Sequence, residues 1–314
     1  MADRGTIHVS APLSNIANGY LQGNHIWSRV SKMVPVDKEV DLFYLFEREF
    51  LRYRGKVRAD KVESERVDSF SATTSTYTCN EHTYHDIVTD RDRSLSDPII
   101  DPDVRVTKNV SAIVDLDVEV DVATVIFGSS NYGANTSAPT NKWDITNPDG
   151  DPFGDIDSAK NTVQKAIGMA PNKMVIGKLV FDQLKRHPDV LEYFKYTGKP
   201  IVTTEMLAQA FGFEEVIVGE SILVTSKQGQ GTVTTDYIWG KFAAILYIPP
   251  EAAIEEPAFS YTFMHKLFGT LTAMVQRIPV PTKGKNAIQI EVTRSYTIKV
   301  TGQLAGYLYT AVVS

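Results

Sequence analysis

Cys79, His82 and His85 stand three residues apart, with Glu81 and Asp86 beside them, and side chains of these types bind zinc when they converge. On a helix that spacing would put all three on one face. The surrounding Thr-Tyr-Thr and Thr-Tyr residues favour a strand instead. Steps of three along a strand send side chains to opposite faces, so no metal centre is expected. The acidic run Asp149-Gly150-Asp151, with Asp155 and Asp157, has the composition of a calcium loop. The twelfth position from Asp149 is Lys160, where such a loop needs a bidentate glutamate, so turn and cap roles explain these carboxylates better.

Phosphate chemistry finds no better footing. Gly229-Gln230-Gly231 lies in a polar turn and opens no helix, and Trp239-Gly240-Lys241-Phe242 lacks both the upstream glycine and the following Ser or Thr of a phosphate loop. There is no Gly-x-Ser-x-Gly elbow, and Cys79 has no neighbour that would activate its thiol. His187 precedes Pro188, where a dipole partner at a helix C-terminus is expected rather than a general base. No enzyme, cofactor or metal is expected from these residues.

The elements that would have to position such groups are of ordinary globular composition, 43% hydrophobic and 22% charged. With 32 Lys and Arg against 38 Asp and Glu the net charge is −6, which excludes a protein that grips nucleic acid through a basic surface. A single cysteine excludes an internal disulfide and fits a reducing compartment. The first residues lack the apolar core of a signal peptide, and no apolar run approaches the ~18 residues of a membrane span, so a soluble, cytoplasmically made chain is expected.

Residues 1–45 read as an arm: Pro12, Pro35, Asn15, Gly19 and Gly23 break every periodic pattern. Residues 46–88 read as a projecting hairpin. Its first part carries Arg48, Arg52, Arg54, Lys56, Arg58, Lys61 and Arg66 among only four acidic residues, and its second is rich in Thr, Ser and aromatic residues. Residues 103–128 support two readings. Val114-Asp115-Leu116-Asp117-Val118-Glu119-Val120-Asp121-Val122 alternates as a strand does, whereas Val106, Val110, Ile113, Leu116, Val120, Ala123 and Phe127 recur at helical steps.

Beyond, helices are expected at 158–167, 179–187, 190–196 and 205–211, and strands at 174–176, 215–218, 222–225, 237–248, 289–300 and 307–313. Without regular βαβ alternation the class is α+β. Phe181, Leu184, Leu207, Phe211, Ile245 and Tyr247 are the expected core of the 170–250 region.

Three segments carry a resemblance: Gly168-Met169-Ala170-Pro171-Asn172-Lys173-Met174-Val175-Ile176-Gly177, Leu184-Lys185-Arg186-His187-Pro188-Asp189-Val190, and Thr204-Glu205-Met206-Leu207-Ala208-Gln209-Ala210-Phe211-Gly212. With Trp143-Asp144 upstream, and Ile238-Trp239-Gly240 before Ala244-Ile245-Leu246-Tyr247, the chain resembles the major capsid proteins of tailed bacteriophages, in particular the lambda coat protein E family.

The resemblance implies the Hong Kong phage-type capsid fold. The slots would be an arm at 1–45, an extended loop at 46–88, a spine helix and first part of the peripheral domain at 89–169, an axial domain at 170–250, and a return to the peripheral domain with the C-terminal strands at 251–314. It also selects the helical reading of 103–128. The basic residues of the extended loop become intersubunit contacts. Some relatives cross-link a Lys of the extended loop to a neighbour's Asn; Lys56 and Lys61 are candidates in name only, and ordinary surface lysines are the plainer reading.

The function implied is a virion shell of hexamers and pentamers, assembled in the host cytoplasm around double-stranded DNA that it touches weakly. Portal, scaffolding or decoration proteins would be its partners, and no membrane is involved. Some relatives begin with a cleaved scaffolding domain. None is evident ahead of the arm, so a separate scaffold or an absent propiece is expected. An encapsulin-type compartment holding an enzyme shares the implied fold and is the nearest rival. A soluble hydrolase acting through the acidic loop is the more distant one.

Overall fold

The structure is a computed structural model that describes residues 8–9, 25–45, 57, 60, 63, 73–95, 101–147, 149–195, 202–226, 231–252, 258–267, 272–284 and 286–314. Its first half contains β1 (His8–Val9), α1 (Trp27–Val30), β2 (Lys32–Val36), β3 (Val40–Tyr44), β4 (Thr74–Thr78), β5 (Asn80–Val88), α2 (Asp90–Leu95) and α3 (Pro102–Ile126). After β6 (Thr136–Ser137) come α4 (Pro152–Ile167), β7 (Lys173–Gly177), α5 (Lys178–Leu184), α6 (Pro188–Phe194), α7 (Thr204–Phe211), β8 (Glu215–Gly219), β9 (Ile222–Val224), β10 (Thr235–Tyr237) and β11 (Ala243–Leu246). The chain closes with β12 (Ser260–His265), β13 (Met274–Pro279), β14 (Ile288–Val300) and β15 (Gly306–Tyr309).

The ambiguous 103–128 region is a helix. Asp101 caps it, its carboxylate accepting from Asp103 N at 2.9 Å, and Pro102 occupies the first turn, where no N–H is missed. The buried face differs from the expected one. Val106, Val110, Val114, Val118, Val122 and Ile126 are buried at strict steps of four, whereas Ile113 is exposed. Four residues overshoot one turn by about 40°, so this ridge slants around the helix. Its first half packs with Val88, Val275, Ile290 and Val292 of one sheet, and its second half enters the central core.

Beside the valines runs a second buried ridge, Asp103, Thr107, Ser111, Asp115, Glu119 and Ala123. These two ridges supply Val114, Asp115, Val118, Glu119 and Val122 of the alternating run, and the half-buried Leu116, Asp117, Val120 and Asp121 beside them complete it.

The long strand β14 organises the larger sheet, whose order is β1-β13-β14-β12-β2 with β5 also on β14. It pairs antiparallel with β5 from Ile288 to Tyr296, with β13 from Ile288 to Thr293, and with β12 from Tyr296 to Val300. The second sheet has the order β6-β15-β11-β7-β8, and α4 and the short helices α5–α7 share one buried cluster with it. β7, β11 and most of β8 are buried, as their continuous apolar runs require. Asn172 ties this sheet together, its amide donating to Ile248 O at 2.8 Å and accepting from Ile248 N at 2.9 Å.

Four boundaries differ from the sequence reading. Residues 25–36, expected in the arm, belong to the body: Ile26, Trp27 and Val30 are in the central core and β2 pairs parallel to β12. The hairpin stem is β3 with β4, and residues 80–88 lie in the larger sheet rather than in a projection. The helix expected at 158–167 begins at Pro152, capped by Asp151, and the strand expected at 237–248 is split into β10 and β11 by the turn at 238–242.

Candidate assembly surfaces and the polar ridge behind them

The β3–β4 ribbon has two unlike faces. On the inner one Phe43 and Tyr77 are buried against Phe263 of β12, with ring centroids 5.6 and 4.6 Å apart, and the Cys79 thiol beside them reaches Phe263 O at 3.7 Å. On the outer one Val40, Leu42 and Tyr44 are 52%, 61% and 51% exposed, opposite the equally exposed Thr78, Thr76 and Thr74. Alternation along a strand must produce two faces, and here the outer face is apolar too. The basic residues Arg48, Arg52, Arg54, Lys56, Arg58, Lys61 and Arg66 lie outside the described residues.

A second ribbon, β9–β10, exposes Ile222 and Val224, and Val233 beyond them is exposed as well. An open cavity of about 460 Å³ separates its base from the end of α3, lined by Val120, Ala123, Phe127, Leu223, Ile238 and Phe242.

The polar ridge of α3 draws a partner from each element around it. Near its start the Asp103 carboxylate pairs with Arg93 at 3.2 Å and with Arg277 of β13. In the middle Asp115 faces Arg294 of β14, and both are buried. One turn on, the fully buried Glu119 carboxylate accepts from Ile26 N, Trp27 N, the Ser221 hydroxyl and the Trp239 indole. Burial of Asp115 disfavours its charge and pushes its pKa up to about 6, against the opposing pull of Arg294. At the edge of the ridge the Tyr296 hydroxyl donates to Asp121 at 2.7 Å, and burial together with that carboxylate raises its pKa. Sequence reading did not single out these acids. The available signal was their four-residue spacing next to the valine ridge.

The residues that suggested chemistry are dispersed. Cys79 is buried, His82 stacks on Tyr296 with centroids 4.4 Å apart, and His85 is exposed. Among the described residues no group of three or more His, Cys, Asp or Glu side chains could hold a metal. In the acidic run Asp151 caps α4, accepting from Gly154 N at 2.8 Å, and Asp155 accepts from the Trp143 indole at 2.8 Å. Lys160 donates to Phe211 O at 2.6 Å and so closes the C-terminus of α7.

His187 is a buried N-cap residue of α6 rather than the last turn of a helix, because α5 ends at Leu184. Of the turn glycines, Gly229 lies outside the described residues and Gly231 stands in open space, while Gly240 has φ +43° in the turn that leads into β11.

Leu184, Leu207, Phe211 and Ile245 are buried in one cluster, with Phe181 half-buried against it. Tyr247 packs elsewhere, half-buried on the central core: side chains alternate along the strand, but it lies just beyond β11, where the backbone has turned towards Ala305 and Phe259. Among the described residues no helix is long and apolar enough to cross a membrane.

A family model described as phage major capsid protein E matches residues 120–238. The chain is 28% identical over 265 residues to a major capsid protein of Burkholderia phage BcepMu, covering 82% of this chain and 84% of that protein. The crystal structure of a phage-related protein from Bordetella bronchiseptica RB50 superposes with a TM-score of 0.76 at 25% identity, over 97% of each chain. The capsid structure of cyanophage P-SCSP1u superposes with a TM-score of 0.59 at 7% identity, over 93% of this chain and 90% of that one. In sequence the chain resembles the tailed-phage major capsid proteins of the coat protein E type, and it has the Hong Kong phage-type capsid fold.

Proposed function

We infer that this chain is the major capsid protein of a tailed phage. Its copies form an icosahedral shell of hexamers and pentamers that encloses double-stranded DNA. The observation that carries this reading is the β3–β4 ribbon, pinned on one face by Phe43 and Tyr77 and presenting Val40, Leu42 and Tyr44 on the other. A two-stranded ribbon with an apolar outer face gains stability by covering another surface, and identical contacts repeated around an axis close into rings.

The basic stretch 48–66 joins β3 to β4 in the sequence and is assigned to contacts with acidic surface of a neighbouring copy. The net charge of −6 suits a wall along which packaged DNA slides rather than binds. We assign the spine helix to α3, the axial domain to the part built on β7, β8 and β11, and the peripheral domain to the larger sheet with β12–β14. The role is structural, not catalytic; portal, scaffolding and decoration proteins are its proposed partners, and the virion its location.

A compartment holding an enzyme would be built on the same fold. The phage reading is favoured over it by the family match at 120–238 and by the Burkholderia phage relative. Electron microscopy and sedimentation of the purified chain test the reading: closed particles or capsomer rings are expected, and a monodisperse monomer across salt and concentration would overturn it.

A further inference from the structure

Glu119 is fully buried, and its carboxylate has four donors from three separate parts of the chain. Ile26 N lies 3.1 and 3.0 Å from its two oxygens and Trp27 N 2.9 Å from Oε2; these two amides open α1, where the N-terminal segment joins the body. The Ser221 hydroxyl donates to Oε1 at 3.0 Å and the Trp239 indole Nε1 to the same oxygen at 2.6 Å. Ser221 and Trp239 flank the β9–β10 ribbon on its two sides, and Ile238 N closes the base on Ser221 O at 3.0 Å. Gly219 makes room for the indole, since a Cβ there would sit 2.1 Å from Trp239 Cγ. One side chain of α3 is therefore the common acceptor for the roots of two peripheral segments.

We propose that Glu119 couples the root of the N-terminal segment at Ile26–Trp27 to the 222–237 ribbon, so that loosening either root loosens the other. A buried carboxylate has no water to replace a lost donor, and withdrawing the amides of one root leaves its charge under-satisfied at the other. The carboxylate must then rotate or recruit solvent, and either response frees the remaining donors. Among the described residues, every hydrogen bond to the carboxylate comes from one of the two roots. The coupling is a property of the folded subunit and does not rest on shell formation.

Hydrogen–deuterium exchange of the full-length chain, read in peptides spanning 25–31 and 219–239 with α4 as internal control, tests the coupling. Ser221→Ala removes a ribbon-side donor alone, whereas Trp239→Phe removes one together with part of the indole's packing in the central core; they are expected to speed exchange at 25–31 by about threefold and about tenfold respectively. Val30→Ala loosens the other root without touching a donor, and is expected to speed exchange at 219–239. Glu119→Gln, which keeps the shape and halves the acceptor capacity, is expected to speed both together. Faster exchange confined to the mutated root, with the opposite root unchanged, would overturn the proposal. Should Trp239→Phe unfold the chain, Ser221→Ala and Val30→Ala, each a small truncation, decide the question by the same readout.

Discussion

Asp115 and Arg294 meet inside the protein, where two charges lose their hydration and recover it only through each other. The pKa of Asp115 rises from 3.8 to about 6, so the folded chain binds this proton more tightly than the unfolded chain does. The stability so contributed is complete below pH 3.8 and is lost as pH rises through about 6. Asp115→Asn mimics the neutral form at every pH. Relative to the native sequence it is expected to gain about 2 kcal/mol between about pH 4.5 and 7.5. Urea denaturation at the two pH values checks this, and a difference that does not change with pH would refute it. The same residues show the limit of reading identity without neighbours. Their type and spacing are plain in the sequence, but the groups that satisfy Asp115 and Glu119 lie far away along the chain, at Arg294, Trp239 and Ile26.

Short helices are held at their ends, and those around the second sheet illustrate how. Thr203 caps α7, accepting from Met206 N at 3.3 Å, and Gly212 closes it at φ +66°, a left-handed conformation that favours glycine. Between those caps Met206, Leu207 and Phe211 are buried against Ile176, Val216 and Ile245. Leu207 has no exposed surface, so Leu207→Ala is expected to destabilise the chain by about 2–5 kcal/mol, read as a lower urea midpoint with unchanged slope. Caps and apolar spacing made this helix legible in advance. For α3 they left two readings, because the half-buried Leu116, Asp117, Val120 and Asp121 continue the apolar–acidic alternation between the buried ridges. Neither ridge alone gave away the buried face.

Among the described residues the β3–β4 ribbon exposes Val40, Leu42 and Tyr44 on one strand of its outer face. Leu42 is the most exposed of the three apolar residues there, so Leu42→Glu is expected to leave the fold intact, by circular dichroism and thermal melting, while preventing particle formation in sedimentation. In the basic stretch 48–66, Arg54→Glu with Arg58→Glu is expected to weaken assembly, and raised salt to weaken it in the native chain. Each exposed pair contributes only ~0.2–1 kcal/mol, but a shell repeats it many times. Normal particles from that double variant at low and high salt would return these charges to plain surface. By itself the sequence determined the α+β class, the caps and strands around residues 170–250, and the family it resembles, whose pattern selects the helix at 103–128, because those depend on local pattern and short-range spacing. Only the tertiary structure decided that α3 buries an acidic ridge, that residues 25–36 belong to the core, and that residues 80–88 lie in the larger sheet. Each of these is settled by a partner far along the chain, and burial and pairing at that range are energies that no local window contains.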